Sequence, residues 1–181
     1  MTAATTSQTA GPYWHLIDFP EWADLLRPDG PNAGFEGGER IVLTGRITDG
    51  DGAPVTDAMV EIWQADPEGR YDGAFHGFGR CGTDANGMFR FVTLKPGPVP
   101  GRGNQTQAPH VVLTLFARGL LKQLVTRLYF EGETLNETDP LLQSIEPARR
   151  GTLIARPTGT PGEWRLDIRL QGENETVFLD V

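Results

Sequence analysis

Glycine and proline fall between the apolar runs of this chain and rarely inside them. With 23 Gly and 14 Pro among 181 residues, long helices are interrupted, whereas strands of about 4–8 residues fit between the breaks. The runs carry the matching period. Ile41, Leu43, Gly45 and Ile47 alternate with Val42, Thr44 and Arg46, as in a strand with one buried face. Met59 to Gln64 reads as a second strand, stopped by Asp66-Pro67-Glu68-Gly69. Arg80 to Thr83 and Met88 to Leu94 flank Asp84-Ala85-Asn86-Gly87, in which Asn-Gly is a hairpin signal. Beyond the Pro/Gly loop from Pro96 to Pro109, further strands are expected at His110 to Ala117, Gln123 to Phe130, Thr152 to Arg156, Trp164 to Leu170 and Thr176 to Val181, with a short helix at Asp139 to Ile145. The expectation is an all-β fold, an antiparallel β-sandwich of about eight or nine strands with a few short helices. Residues 1–38 read as an irregular N-terminal arm, with a short helix from Pro20 to Leu26. Residues 39–181 read as one sandwich domain with no linker inside it.

Charge and cysteine usage narrow the function classes. A formal net charge of -8 argues against nucleic-acid binding, which needs clustered Lys and Arg against phosphates. No apolar run approaches the roughly 20 residues of a membrane-spanning helix, and no leader pattern is visible at the start. Cys81 stands alone, so no disulfide forms within the chain. A cytoplasmic protein is expected, with neither nucleic acid nor membrane as a partner.

The usual catalytic signatures are missing. There is no Gly-x-Ser-x-Gly elbow and no phosphate loop. Cys81 sits in an expected strand with no evident base and reads as a small buried hydrophobe. Asp66, Asp84 and Asp139 read as turn or cap residues. Two strand faces hold chemistry-bearing side chains. His110 shares a face with Val112, Thr114 and Phe116, so the position two residues from the imidazole, where a second ligand would stand, is apolar. Arg127 lies between Val125 and Tyr129. It either runs its stem along the surface with its head in water or sits in a covered site, where its planar fork would meet a carboxylate.

Several segments, in order along most of the chain, carry a resemblance. Leu43-Thr44-Gly45-Arg46, Gly52-Ala53-Pro54-Val55, Val60-Glu61-Ile62-Trp63-Gln64-Ala65-Asp66, Gly79-Arg80 with Thr83-Asp84 and Gly87, and Lys95-Pro96-Gly97-Pro98 resemble the intradiol ring-cleavage dioxygenases. Ser7-Gln8-Thr9-Ala10-Gly11-Pro12-Tyr13 and Thr126-Arg127-Leu128-Tyr129-Phe130 are similar to the two-chain members of that family. The tail from Asp167 to Phe178 is similar to their iron-free chain.

The resemblance implies a ferric centre held by two tyrosines and two histidines in catalytic chains. Carried over, those four positions fall on Tyr71, Val99, His110 and Val112, so two donors are replaced by valine. Gln107 stands where catalytic chains carry an arginine. The resemblance therefore implies a chain that binds no Fe(III) itself and pairs with a homologous iron-bearing beta chain in a larger oligomer. It would complete that partner's cleft with Thr9, Gly11, Pro12, Tyr13 and Arg127. The implied reaction is O2-dependent cleavage of 3,4-dihydroxybenzoate (protocatechuate) between its hydroxyls, giving 3-carboxy-cis,cis-muconate. Two rivals stand beside this. One is a single-chain catechol-type enzyme, which would carry all four ligands. The other is a metal-free β-sandwich binding or interaction module that kept only the fold.

Overall fold

The computed structural model describes residues 19–180. Eleven strands are present among them: β1 (Arg40–Thr48), β2 (Met59–Gln64), β3 (Phe78–Gly82), β4 (Met88–Leu94), β5 (Val99–Pro100), β6 (Thr106–Gln107), β7 (His110–Phe116), β8 (Leu124–Phe130), β9 (Ile154–Pro157), β10 (Glu163–Arg165) and β11 (Ile168–Arg169). β5 and β6 form a small separate hairpin. The other nine join one sheet in the order β11-β1-β10-β9-β8-β7-β2-β3, with β4 on β1. The sheet folds over on itself, so that β4, β1 and β10 face β3, β2, β7 and β8 as two layers linked through β9.

Alternation dictates the core. Ile41, Leu43 and Ile47 of β1 meet Phe89 and Phe91 of β4 and, from the opposite layer, Leu113 and Leu128. Removing such side chains from water stabilises the fold by about 1.5–3 kcal/mol each. Cys81 lies in this core, as its residue type suggested. Residues 19–38 lie against the sandwich. A short 3-10 turn spans Pro20–Ala23, Leu25 is buried in the core, and the Asn32 amide donates to the Leu25 and His76 carbonyls.

The all-β sandwich with few helices is as expected, and the bounds of β2 and β4 coincide with the apolar runs. Strand direction is mixed, however. β1 pairs in parallel with β10 and β11, and β8 pairs in parallel with β9. Directions across long connections are not written in local alternation, which is the same for both kinds of ladder. The single strand expected at Trp164 to Leu170 is split. The Asp167 carboxylate accepts the Arg46 backbone N–H at 2.9 Å, taking the place of a ladder carbonyl between β10 and β11. Over the described part of Thr176 to Val181, an isolated bridge between Val125 and Leu179 replaces the expected strand.

A second, smaller core lies on the outer side of β7 and β8. There Ala108, Tyr129, Leu142, Leu153 and Val177 pack together, beneath helix α1 (Pro140–Ser144). Helix α2 (Pro147–Arg150) follows it. α1 starts where it does because Asp139 caps it, accepting the Leu141 and Leu142 backbone N–H groups at 2.9 and 3.0 Å, with Pro140 in the first turn.

Candidate functional site

The outer face of β2, β7 and β8 brings most of the described candidate residues together. Register sets them in two rows. Trp63, Val112 and Arg127 stand side by side across β2, β7 and β8. His110 and Tyr129 form the next row.

Two loops supply the rest. The β5–β6 hairpin places Val99 opposite Gln107, with Val99 buried. The turn after β2 delivers Tyr71. Asp66 organises that turn by accepting the backbone N–H groups of Glu68 and Arg70 and the Arg70 guanidinium, at 2.9, 2.8 and 2.9 Å. Burial pushes the Asp66 carboxyl up, but the Arg70 and Glu68 bonds together hold it below the ordinary aspartate range. Gly69 closes the turn at φ +82, where a Cβ would also collide with the Pro98 carbonyl. Tyr71 then stacks on Trp63, with ring centroids 5.8 Å apart and planes 18° from parallel.

The His110–Tyr129 row is closed. His110 is 1% exposed and its Nδ1 lies 2.7 Å from the Ala108 carbonyl. A carbonyl only accepts, so Nδ1 carries the proton, and the neutral ring keeps its lone pair on Nε2. Burial, reinforced by the Arg127 charge, lowers the imidazole to about 4. The Tyr129 hydroxyl donates to Asp139 Oδ1 at 3.1 Å, while Asp139 Oδ2 accepts the Ala108 backbone N–H at 2.9 Å. Burial raises the Tyr129 hydroxyl far above the ordinary tyrosine value; Arg127 opposes this and Asp139 adds to it.

The Trp63–Val112–Arg127 row is open. Trp63 and Tyr71 are 42% and 39% exposed. Arg127 is half-buried. Its Nη1 donates to Gln107 Oε1 at 2.8 Å and to the Tyr129 hydroxyl at 3.3 Å. Both partners are neutral, and Arg127 forms no ion pair with a described residue. This lies between the two readings of the sequence: the guanidinium is covered on one side, without a carboxylate. Its charge also acts on Tyr71, whose hydroxyl burial raises and Arg127 lowers, with burial prevailing.

Asp139 and Tyr129 are the residues that sequence reasoning missed as members of this cluster. Asp139 was legible only as a cap, and Tyr129 only as a neighbour of Arg127. Thr9, Gly11, Pro12 and Tyr13 lie outside the described residues.

The donor set does not fit a ferric ion. Tyr71 and His110 carry donor atoms, but Val99 and Val112 have no lone pair. Arg127, already a cation, shares their neighbourhood. Among the described residues no three His, Cys, Asp or Glu side chains converge as metal donors. No helix of the described residues is long and apolar enough to cross a membrane.

Comparison with known proteins agrees with this fold. A family model described as "Dioxygenase" matches residues 11–172, and the chain belongs to that family, the iron-dependent intradiol dioxygenases. Within it, the chain is 42% identical to the protocatechuate 3,4-dioxygenase alpha chain of Pseudomonas putida, over 97% of this chain and 96% of that one. It is 40% identical to the beta chain of the Burkholderia cepacia enzyme, over 77% of this chain and 67% of the relative. Among solved structures, the dioxygenase domain of a dioxygenase carbohydrate-binding protein fusion from Streptomyces sp. SirexAA-E superposes with a TM-score of 0.66 at 29% identity, covering 97% of this chain and 100% of that one.

Proposed function

We propose that this chain is the alpha-type subunit of a protocatechuate 3,4-dioxygenase. It holds no catalytic iron and completes the substrate cleft of a homologous, iron-bearing beta chain in a cytoplasmic hetero-oligomer. The reaction joins O2 to 3,4-dihydroxybenzoate and opens the ring between its hydroxyls, giving 3-carboxy-cis,cis-muconate.

The observation that carries this reading is the pairing of Val112 with Arg127 across β7 and β8. At the face where a catalytic chain places a metal donor, this chain places an apolar side chain beside a fixed cation. Near-full-length likeness to an alpha chain supports the same reading. Arg127 is our candidate for the carboxylate of the substrate. A guanidinium held through Nη1 alone keeps Nε and Nη2 for a bidentate grip on an anion. The arm residues Thr9, Gly11, Pro12 and Tyr13 are our candidates for the wall across the subunit boundary, since glycine permits close backbone approach and proline fixes the chain.

In the co-expressed two-chain complex, Arg127→Ala should raise KM for protocatechuate about tenfold, while catechol, which lacks the carboxylate, changes much less. Equal losses on both substrates would remove the carboxylate-orienting role.

A further inference from the structure

On the far side of the sandwich the outer faces of β1, β9, β10 and β11 form two adjoining hollows, of about 520 and 560 Å³. That is the size range of small-molecule sites. Four arginines line them, Arg46, Arg156, Arg165 and Arg169, against two carboxylates, Asp167 and Glu163. The chain as a whole has a net charge of -8, so this is a local reversal of sign.

The cations are also poorly neutralised. Arg46 Nε donates to the Asn86 carbonyl at 3.0 Å. Arg169 donates to the carbonyls of Gln171 and Gly50, at 3.2 and 2.7 Å. Neither forms an ion pair with a described residue. Arg156 reaches Glu131 only at 3.5 Å, with both side chains largely exposed, so that contact is worth little. Only Arg165 has a close carboxylate, Asp167, at 2.9 and 3.1 Å.

Register adds a second observation. Arg156 and Arg165 stand directly opposite each other across β9 and β10. Like charges in that arrangement destabilise a sheet. The same row continues through Thr44 of β1 to Arg90 of β4, which extends the basic face.

We propose that this groove binds a small anion bearing two or more carboxylates, spanning the Arg46–Arg169 side and the Arg156–Arg165 side. Planar guanidinium forks suit carboxylates, several forks across one hollow suit several carboxylates, and an anion between Arg156 and Arg165 relieves their repulsion. The proposal stands independently of the subunit reading, because it uses none of the residues of the β2–β7–β8 face.

The test is calorimetric titration of the full-length chain with citrate, acetate and inorganic phosphate at matched ionic strength, with thermal melts in parallel. Citrate should bind with a Kd of millimolar or tighter, raise Tm, and exceed acetate at least tenfold. The Arg46→Gln/Arg169→Gln double variant should weaken citrate at least tenfold. Arg156→Gln should also weaken citrate, yet melt no lower than the parent without ligand, because it removes a like-charge pair. Citrate no tighter than acetate, or unchanged affinity in a folded Arg156→Gln, would overturn the site. Phosphate binding more tightly than citrate would overturn the ligand class.

Discussion

Two rows of one sheet face, two residues apart along β7 and β8, have opposite characters. In the His110–Tyr129 row every polar group named above is answered from inside the chain except His110 Nε2: the imidazole by Ala108, the phenol by Asp139, and Asp139 in turn by Ala108 and the start of α1. In the Trp63–Val112–Arg127 row an aromatic pair lies open to solvent, and a guanidinium has two of its three nitrogens unused by described residues. The contrast separates two uses of polar side chains. Buried and fully partnered, they fix a structure. Half-buried and partly partnered, they remain available to a ligand or a neighbouring chain. The closed row serves the fold, and the open row is the one on which the proposed function rests.

The contrast breaks most visibly at Asp139. Asp139→Ala leaves the Tyr129 hydroxyl, the Ala108 N–H and the α1 cap without their acceptor, so the fold should lose about 3–5 kcal/mol in chemical denaturation. A loss below about 1 kcal/mol would mean that the row is not held from that end. Next comes the pH response of His110. Its folded value of about 4 lies below the ordinary 6.5, so the unfolded chain takes up the proton first. Stability from this residue is complete above pH 6.5 and declines as pH falls toward 4, by up to about 3 kcal/mol. His110→Asn should flatten the dependence of unfolding free energy on pH in that window. An unchanged slope would assign the acid sensitivity elsewhere. Tyr129→Phe, which deletes one hydroxyl and keeps the ring, should lose about 1–2 kcal/mol. The smallest effect on stability belongs to the open row. Arg127→Gln should stay within about 0.5 kcal/mol of the parent, while substrate affinity in the complex falls. A large loss of stability there would make Arg127 scaffold as well.

Much of this was written locally. Asp84 closes its turn as its Asp-Ala-Asn-Gly setting implied, accepting the Asn86 and Met88 backbone N–H groups at 2.8 and 2.9 Å, with Gly87 at φ +74. Asp139 caps α1, and Asp66 organises the turn before Tyr71. Alternation placed Leu128 and Phe130 in the core and Arg127 on the other face. What was not legible depends on partners distant in sequence. Asp139 reaches Tyr129 and Ala108 only because α1 is laid across β7 and β8. Gln107 meets Arg127 only through the β5–β6 hairpin. The stacking of Tyr71 on Trp63 needs the Gly69 turn against Pro98. Strand direction was equally hidden, since β10 and β11 reach β1 through long connections.

The most direct measurement of the central claim is the iron content of the purified chain and of its complex with a co-expressed beta-type partner, read with oxygen uptake on protocatechuate. The account predicts a colourless, inactive lone chain, and an active coloured complex with one ferric ion per pair of chains. A lone chain that holds stoichiometric ferric iron and opens the ring would contradict it.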